Sequence, residues 1–480
     1  MLKTIIRREI LSNITSLRFA ITLLLITVVF VVSGFVFGNR YGEDIRIFNE
    51  ATNSSLSRLN GQTNNLSSIA NHIQTIHKRP KITQLFYEGF EKSLPGTYFV
   101  NVFILSLPEI ATSTIFMNYP EIKERENYLL KKYSDIDWVF IISLILSFIA
   151  LIMTFDCISS ERERGTLPLV MSNSIPRHMV ILGKYISAIL TMMIPLIIGL
   201  LLNIIIVSIS GSVINASQWG QIAIFLGVSI LYISIFLLLG ILISSRSAKS
   251  SSSIVALLFI WVVIVMIIPA SGKIISEKYI DVPTRSELES KIHDATQEIW
   301  DNSDRYGENA GNWGGGLNAD SVNPPARARL FNAMTDMRGQ MNDEHINRWL
   351  EQVYFGRNII KISPASLYQG ISESIFGNGI SRFRSLYSQL KRYQKALRDF
   401  VIETDQRDPD SWHLLAEGRQ HQILLSQKPV DYNAIPKFIE SEVSVGESLK
   451  YVILDLGTLI LINILLFVAV YVSFLRCDVR

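Results

Sequence analysis

Apolar and polar residues alternate along this chain in long blocks. Six apolar runs, at residues 18–38, 138–155, 178–209, 219–244, 254–270 and 449–475, are separated by polar stretches of very different length. Each run matches or exceeds the about 17–25 residues a helix needs to cross the hydrocarbon. The connections at 210–218 and 245–253 are short, whereas residues 39–137 and 271–448 form two large polar insertions. Within the first insertion, Leu59, Leu66, Ile69, Ile73 and Ile76 follow a heptad-like stripe, which predicts a long helix over 45–76, ended by Lys78 to Pro80. The second insertion predicts helices at 284–300, 326–361, 365–376 and 380–405, with Ser363 as N-cap and Pro364 in the first turn. Residues 302–325, rich in Gly and Asn, read as irregular. Residues 1–17 carry Ile5, Ile6, Ile10 and Ile14 at helical spacing among Lys3, Arg7 and Arg8, the pattern of an amphipathic helix on a membrane surface. The pattern predicts an all-α polytopic membrane protein: six transmembrane helices with two helix-rich extracytoplasmic insertions.

Composition alone would not give this class. The 480 residues are 49% hydrophobic, with a mean hydropathy of +0.29, only modestly above a soluble average. The placement of the apolar residues carries the reading. Orientation comes from the short loops. Basic residues cluster at Lys3, Arg7 and Arg8, at Arg162, Arg164, Arg177 and Lys184, at Arg246 and Lys249, and at Arg476 and Arg480, while 210–218 carries no charge. The positive-inside rule therefore places both termini, including the tail 476–480, in the cytoplasm, and both insertions outside a cytoplasmic membrane. The length of the first apolar run and the lack of an A-x-A site favour an uncleaved span over a signal peptide. Trp138 is expected at the headgroup level, and Pro195 marks a place where the third span can bend. Cys157 and Cys477 both flank span ends on the inner side, so no disulfide is expected in the insertions. The net charge of +3 gives no indication of a nucleic-acid partner.

The most informative stretch is FDCISSERERGTLPLVMSNSIPRHMVILGK, residues 155–184. Glu161, Arg162, Glu163 and Arg164 follow one another and are followed by Gly165 and Thr166. Each charge costs about 2.5–3.5 kcal/mol at the bilayer centre on insertion scales, so this block faces water between two spans. A short amphipathic helix fits, with Ile158, Leu167 and Val170 toward the bilayer and the charges outward. The stretch, centred on ERERGT, resembles the signature of ABC-2-type transporter permeases. The resemblance implies a type V exporter-like bundle in which this segment, 156–177, is the coupling helix that docks into a separate ATPase. It also implies two ATPase copies holding ATP and Mg, a second permease, identical or related, forming a dimer, and a connecting helix at 1–17. The pieces 80–95, 363–384 and 431–438 resemble the extended members of that family. Typical members have short outer loops after the first span, and this chain departs from them there.

Other chemistry is sparse. No G-x-x-x-x-G-K-[ST] loop is present, so no cofactor is assigned to this chain and ATP binding falls to the partner. No H-E-x-x-H occurs; His413 and His421, near Glu417, read as an exposed helix surface ahead of a metal site, so no metal is assigned. No Ser-His-Asp pattern has local support, and a membrane-anchored outer enzyme ranks behind transport. Asn203, Asp455 and Asn463 lie within the spans, where polar groups line a substrate path or hydrogen-bond between helices. Gly199, Gly227 and Gly240 are expected to allow close packing. Two functions compete: export of a peptide, lipid, drug or glycan, and mechanical action of the insertions on an extracytoplasmic protein partner. Membrane lipid surrounds either machine.

Overall fold

The computed structural model describes residues 2–106, 136–166, 168, 176–211, 213–311, 323–415, 424–442 and 445–476. Among the described residues six helices are long and apolar enough to cross a membrane: α2 (Leu17–Gly61), α4 (Trp138–Glu163), α5 (Arg177–Ile209), α6 (Ala216–Arg246), α7 (Ser250–Tyr279) and α12 (Val445–Leu475). The chain is an all-α polytopic membrane protein, with a small antiparallel sheet of β1 (Gln74–His77), β2 (Thr97–Val100) and β3 (Leu105–Ser106) in its first insertion. The amphipathic helix α1 (Leu2–Ile14) precedes α2, and the Ser16 side chain caps α2 by accepting from the Phe19 N–H.

The central helix is α6, which packs on α4, α5 and α12. Tyr232, close to its midpoint, is fully buried and donates to the carbonyl of Ser143 at 2.8 Å. That carbonyl belongs to a π-helical turn, Ile141–Leu146, within α4. A second π turn, Val262–Ile267, widens α7 just before Pro269. Proline there has no N–H to return to the previous turn and its ring crowds the carbonyl four residues back. Widening the helix relieves the clash and leaves carbonyls for other donors. Span five therefore runs through Pro269 to Tyr279 instead of ending there as the pattern predicts. Two of the three glycines expected to allow close packing do so: a Cβ at Gly199 or Gly240 would enter Phe30 or Thr154, whereas Gly227 has open space around it.

The first insertion differs from expectation. Span one does not stop at the membrane; α2 is a single helix of 45 residues. It breaks after Gly61, and Asn65 caps a new short helix, α3 (Leu66–Asn71). Residues 74–77 then pair as a strand, so the predicted helix to 76 is broken by the Asn-rich turn at 60–65. The stripe remains functional: Leu59, Leu66 and Ile69 pack against Leu397 and Val401 of the second insertion. In that insertion α8 (Arg285–Asp301), α9 (Pro324–Ile360), α10 (Pro364–Phe376) and α11 (Gly379–Asp405) match the predicted helices closely. Thr284 and Glu287 form a capping box on α8, and the Ser363 hydroxyl accepts from the N–H groups of Ala365 and Ser366. Of the irregular stretch, 312–322 lies outside the described residues.

The two insertions interlock. Glu91 pairs with Arg382 at 2.8 Å, and Arg382 pairs with Glu440 at 2.8 Å, all with little exposure. Asn378 donates to the Tyr87 carbonyl at 2.7 Å and accepts from Thr83 at 3.1 Å. Removing one member of a buried ion pair costs about 3–5 kcal/mol, so this junction holds the lobes together.

Helix α10 lies inside the bundle. Tyr368 stacks on Tyr232 with ring centroids 4.5 Å apart and hydrogen-bonds Ser229 at 2.8 Å. Ser363 donates to the carbonyl of Ile264 at 2.6 Å, in the π turn of α7. Tyr232 and Ile264 sit near the midpoints of their helices, so α10 enters to about half the depth of the bundle. Its last aromatic, Phe376, stacks on Phe86, which meets Trp138 edge-on at 4.5 Å. Trp138 is thus fully buried, its indole N–H spent on Asn203, and is no headgroup anchor.

Candidate coupling site at the charged elbow

The end of α4 is a short helix, Ser159–Glu163, set off from the span by a turn at 155–158. The N–H groups of Ile158 and Ser159 both donate to the hydroxyl of Ser244, at 2.9 and 3.0 Å. Free N–H groups at a helix start need such acceptors. Two bonds end the helix: Gly165 N–H to the Arg162 carbonyl and Thr166 N–H to the Glu161 carbonyl, 3.1 and 2.9 Å. This is a Schellman stop, and it requires the positive φ of Gly165, 68°. A side chain at residue 165 would be strained there, which accounts for glycine in the sequence.

The charges do not all face outward. Lys184 of α5 is buried and donates to Glu161 at 2.8 Å and to Glu9 of α1 at 3.2 Å. Arg162 donates to the carbonyls of Ser247 and Ser245 at 3.0 and 3.1 Å, closing the turn between α6 and α7. Glu163 accepts from the Ser250 N–H and hydroxyl at 3.1 and 2.8 Å, capping α7 while remaining exposed. Only Arg164, Gly165 and Thr166 are both exposed and free of bonds to a neighbouring helix. The expectation of an outward-facing charge run is corrected: unpaired carbonyls and a buried ammonium at the bundle end draw the side chains in. Ile158 is likewise buried, among Ile181, Leu238 and Phe474, rather than turned to the bilayer; Leu167 and Val170 lie outside the described residues.

Other basic and terminal segments gather at the same end. Arg18 pairs with Asp156 at 2.8 Å, and Arg177 donates to the Leu475 carbonyl at 2.8 Å. Lys3, Arg7, Arg8, Arg246 and Lys249 are exposed. The elbow therefore bonds directly to α5, α6 and α7, and Lys184 links it onward to Glu9 of α1. Its exposed rim is thus tied to three helices by hydrogen bonds and an ion pair, not by loose chain. Sequence reading missed the anchors Lys184, Ser244 and Ser250. A lysine in an apolar run requires a carboxylate nearby, and Glu9 and Glu161 were the available ones.

The polar residues within the spans resolve into helix-to-helix bonds. Asn203 is fully buried; its carbonyl accepts from Trp138 at 3.1 Å and its amide donates to the Phe30 carbonyl at 2.6 Å. Asn463 accepts from Ser234 at 2.6 Å and donates to the Leu231 carbonyl at 3.0 Å. Asp455 differs: it pairs with Lys361 at 2.8 Å on the wall of a cavity. His413 lies 3.0 Å from Asp405, on non-helical backbone, while His421 and Glu417 are outside the described residues. Cys157 is a free thiol, and Cys477 is outside the described residues.

Comparison with known proteins identifies the family. A segment of 126 residues is 29% identical to the probable ABC transporter permease protein NosY of Pseudomonas aeruginosa. It covers 26% of this chain and 46% of that relative's length. The family model described as ABC-2 family transporter protein matches residues 3–479. A six-helix bundle matched over almost its whole length by that model is a membrane subunit of an ABC transporter, and the chain belongs to the ABC-2 family of transporter permeases.

Proposed function

We propose that this permease exports a substrate across the cytoplasmic membrane, powered by a separate ATPase that docks on the elbow at 159–166. The termini and the elbow then face the cytoplasm, and the interlocked insertions face outward. Two ATPase chains serve two permease chains, identical or related, and ATP and Mg reside on the ATPases. The permease itself is non-catalytic. The observation that carries this reading is the elbow's construction. Glu161, Arg162 and Glu163 are bonded into the bundle, and Arg164 to Thr166 project from it. Exposed charges at an interface fix register and partner choice more than affinity, which suits Arg164.

The test separates the two roles. Arg164→Glu is expected to abolish co-purification with the ATPase while membrane insertion and melting temperature stay at wild-type values. Glu161→Lys is expected to lose both, because it sets a second ammonium against Lys184. Normal ATPase association and turnover in Arg164→Glu would remove the docking assignment.

A second reading is favoured by one feature. Helices α2 and α7 run without a break from the elbow's end into the outer lobes. Such continuous rods suit ATPase strokes that move the lobes against an extracytoplasmic protein. Accumulation of substrate in inverted vesicles supports export; ATPase stimulation by a protein partner with no cargo supports the mechanical reading.

A further inference from the structure

Behind α10 lies a cavity of about 830 Å³, walled by the end of α9, the start of α11 and the outer part of α12. Helix α10 is amphipathic within the bundle. Leu367, Tyr368, Ile371 and Ile375 are buried among the spans, while Ser366, Gln369, Glu373 and Ser374 line the cavity. The spacing of the second set, three and four residues, puts it on one face. A polar face inside a membrane bundle needs partners.

The charges around the cavity do not balance. Lys81, Arg357, Lys361, Arg382 and Arg384 line it, against Glu373, Glu440 and Asp455. Three ion pairs use up the carboxylates: Arg357 with Glu373 at 2.6 Å, Arg382 with Glu440 at 2.8 Å, and Lys361 with Asp455 at 2.8 Å. Two cations are left. The Lys81 side chain is only 13% exposed, and its nearest pairing is a long one, 3.9 Å to the exposed Glu442. Arg384 has no ion-pair partner among the described residues. The hydroxyl of Ser366 is buried with no hydrogen-bond partner. The cavity therefore offers spare donors and positive charge, with no spare carboxylate. One part of the wall is apolar: Val452 of α12 and Ile360 of α9 line it, next to Ile453 and Leu454, which are exposed on the membrane side of α12.

We infer that this cavity binds a phosphate-bearing group of an anionic amphiphile, with Lys81 and Arg384 on the phosphate oxygens and the tail leaving past Val452. Guanidinium and ammonium groups make their strongest hydrogen bonds to such oxygens. A phospholipid headgroup and a soluble phosphate ester share this chemistry. The site stands apart from the elbow and does not depend on the direction of transport.

The experiment uses the full chain in phosphatidylcholine nanodiscs, with and without phosphatidylglycerol. Native mass spectrometry counts retained phosphatidylglycerol, and calorimetry measures binding of glycerol phosphate. Wild type is expected to retain phosphatidylglycerol. The Lys81→Gln/Arg384→Gln variant is expected to bind it at least about tenfold more weakly, the loss of about 1.4 kcal/mol. The Lys81→Arg/Arg384→Lys variant controls for folding and is expected to keep binding. Glycerol phosphate bound with the same sensitivity to the Gln variant, without lipid retention, identifies a soluble ester as the source. Retention unaffected by the Gln substitutions, or no binding of either probe, overturns the site.

Discussion

Asn203 touches three helices at once, joining α5 to the Trp138 indole of α4 and the Phe30 carbonyl of α2. A buried amide with both ends occupied is poorly placed to handle a passing substrate. Asn203→Ala leaves the buried Trp138 indole N–H unpaired and removes a second acceptance at the Phe30 carbonyl, which keeps its helical partner; the loss is about 1–3 kcal/mol in general and nearer about 0.6–2 kcal/mol within membrane bundles. The expected outcome is a fall of several degrees in melting temperature with unchanged turnover per folded molecule; unchanged melting with lost turnover would make Asn203 part of a path instead. A second residue-scale device ties residues 408 and 426–428 of the second insertion together. Asp408 accepts from the Lys428 ammonium at 2.6 Å and the Ser426 hydroxyl at 2.5 Å, and these bonds hold its carboxyl down to about 2. A depressed carboxyl contributes stability that is complete above its ordinary value of 3.8 and lost as pH falls from there through about 2. Hydrogen exchange around residues 405–411, corrected for intrinsic rates, is expected to stay slow down to about pH 4 and to rise below it. Asp408→Asn should exchange fast across the whole range, and wild type already open at about pH 6 would contradict the clasp.

Elements differ in how far their own residues specify them. The apolar runs announce the spans because no other structure buries that many consecutive aliphatic side chains. Helices α8 to α11 were legible from caps: Thr284 with Glu287, and Ser363 before Pro364, fix starts that hold in the structure. The placement of α10 was not legible. At 13 residues it is too short to span, and its alternation of Leu367, Tyr368 and Ile371 with Ser366 and Glu373 is what a surface helix also shows. Its destination depends on Tyr232 and Ile264, far away in sequence. The elbow was half legible. Its position and charge were evident, but inward bonding depends on Lys184 and on carbonyls at 245–247. The strands were hidden for a related reason: residues 74–77 continue the apolar stripe of α2 and α3, and pairing with 97–100 decides between strand and helix.

The whole molecule is a bundle whose elbow, at one end, and insertions, at the other, share rigid members. Helix α2 alone is about 68 Å long at 1.5 Å per residue, longer than the roughly 40–45 Å of a bilayer with its headgroups. Helix α7 crosses α9 at a pair of glycines. A Cβ at Gly272 would lie 3.2 Å from the Gly356 carbonyl, and one at Gly356 would lie 2.9 Å from the Gly272 carbonyl. Such an approach welds span five to the second insertion by close packing. The same geometry supplies a test. A Cβ at Gly356 would sit 3.1 Å from that of Ser276, a few tenths of an ångström short of the about 3.5–4.5 Å of a disulfide, a gap that a small shift of the helices opens. Ser276→Cys/Gly356→Cys is therefore expected to cross-link on oxidation, and Cys157, packed at the opposite end, does not compete. If the lobes ride on α7 as one body, the oxidised variant keeps its coupled ATPase activity within about twofold of the reduced one. If substrate passage requires α7 to slide against α9, oxidation abolishes transport and reduction restores it. Either result measures whether this crossing is a weld or a hinge, and under the proposed docking at Arg164 only a weld would carry a stroke from the elbow to the insertions undiminished.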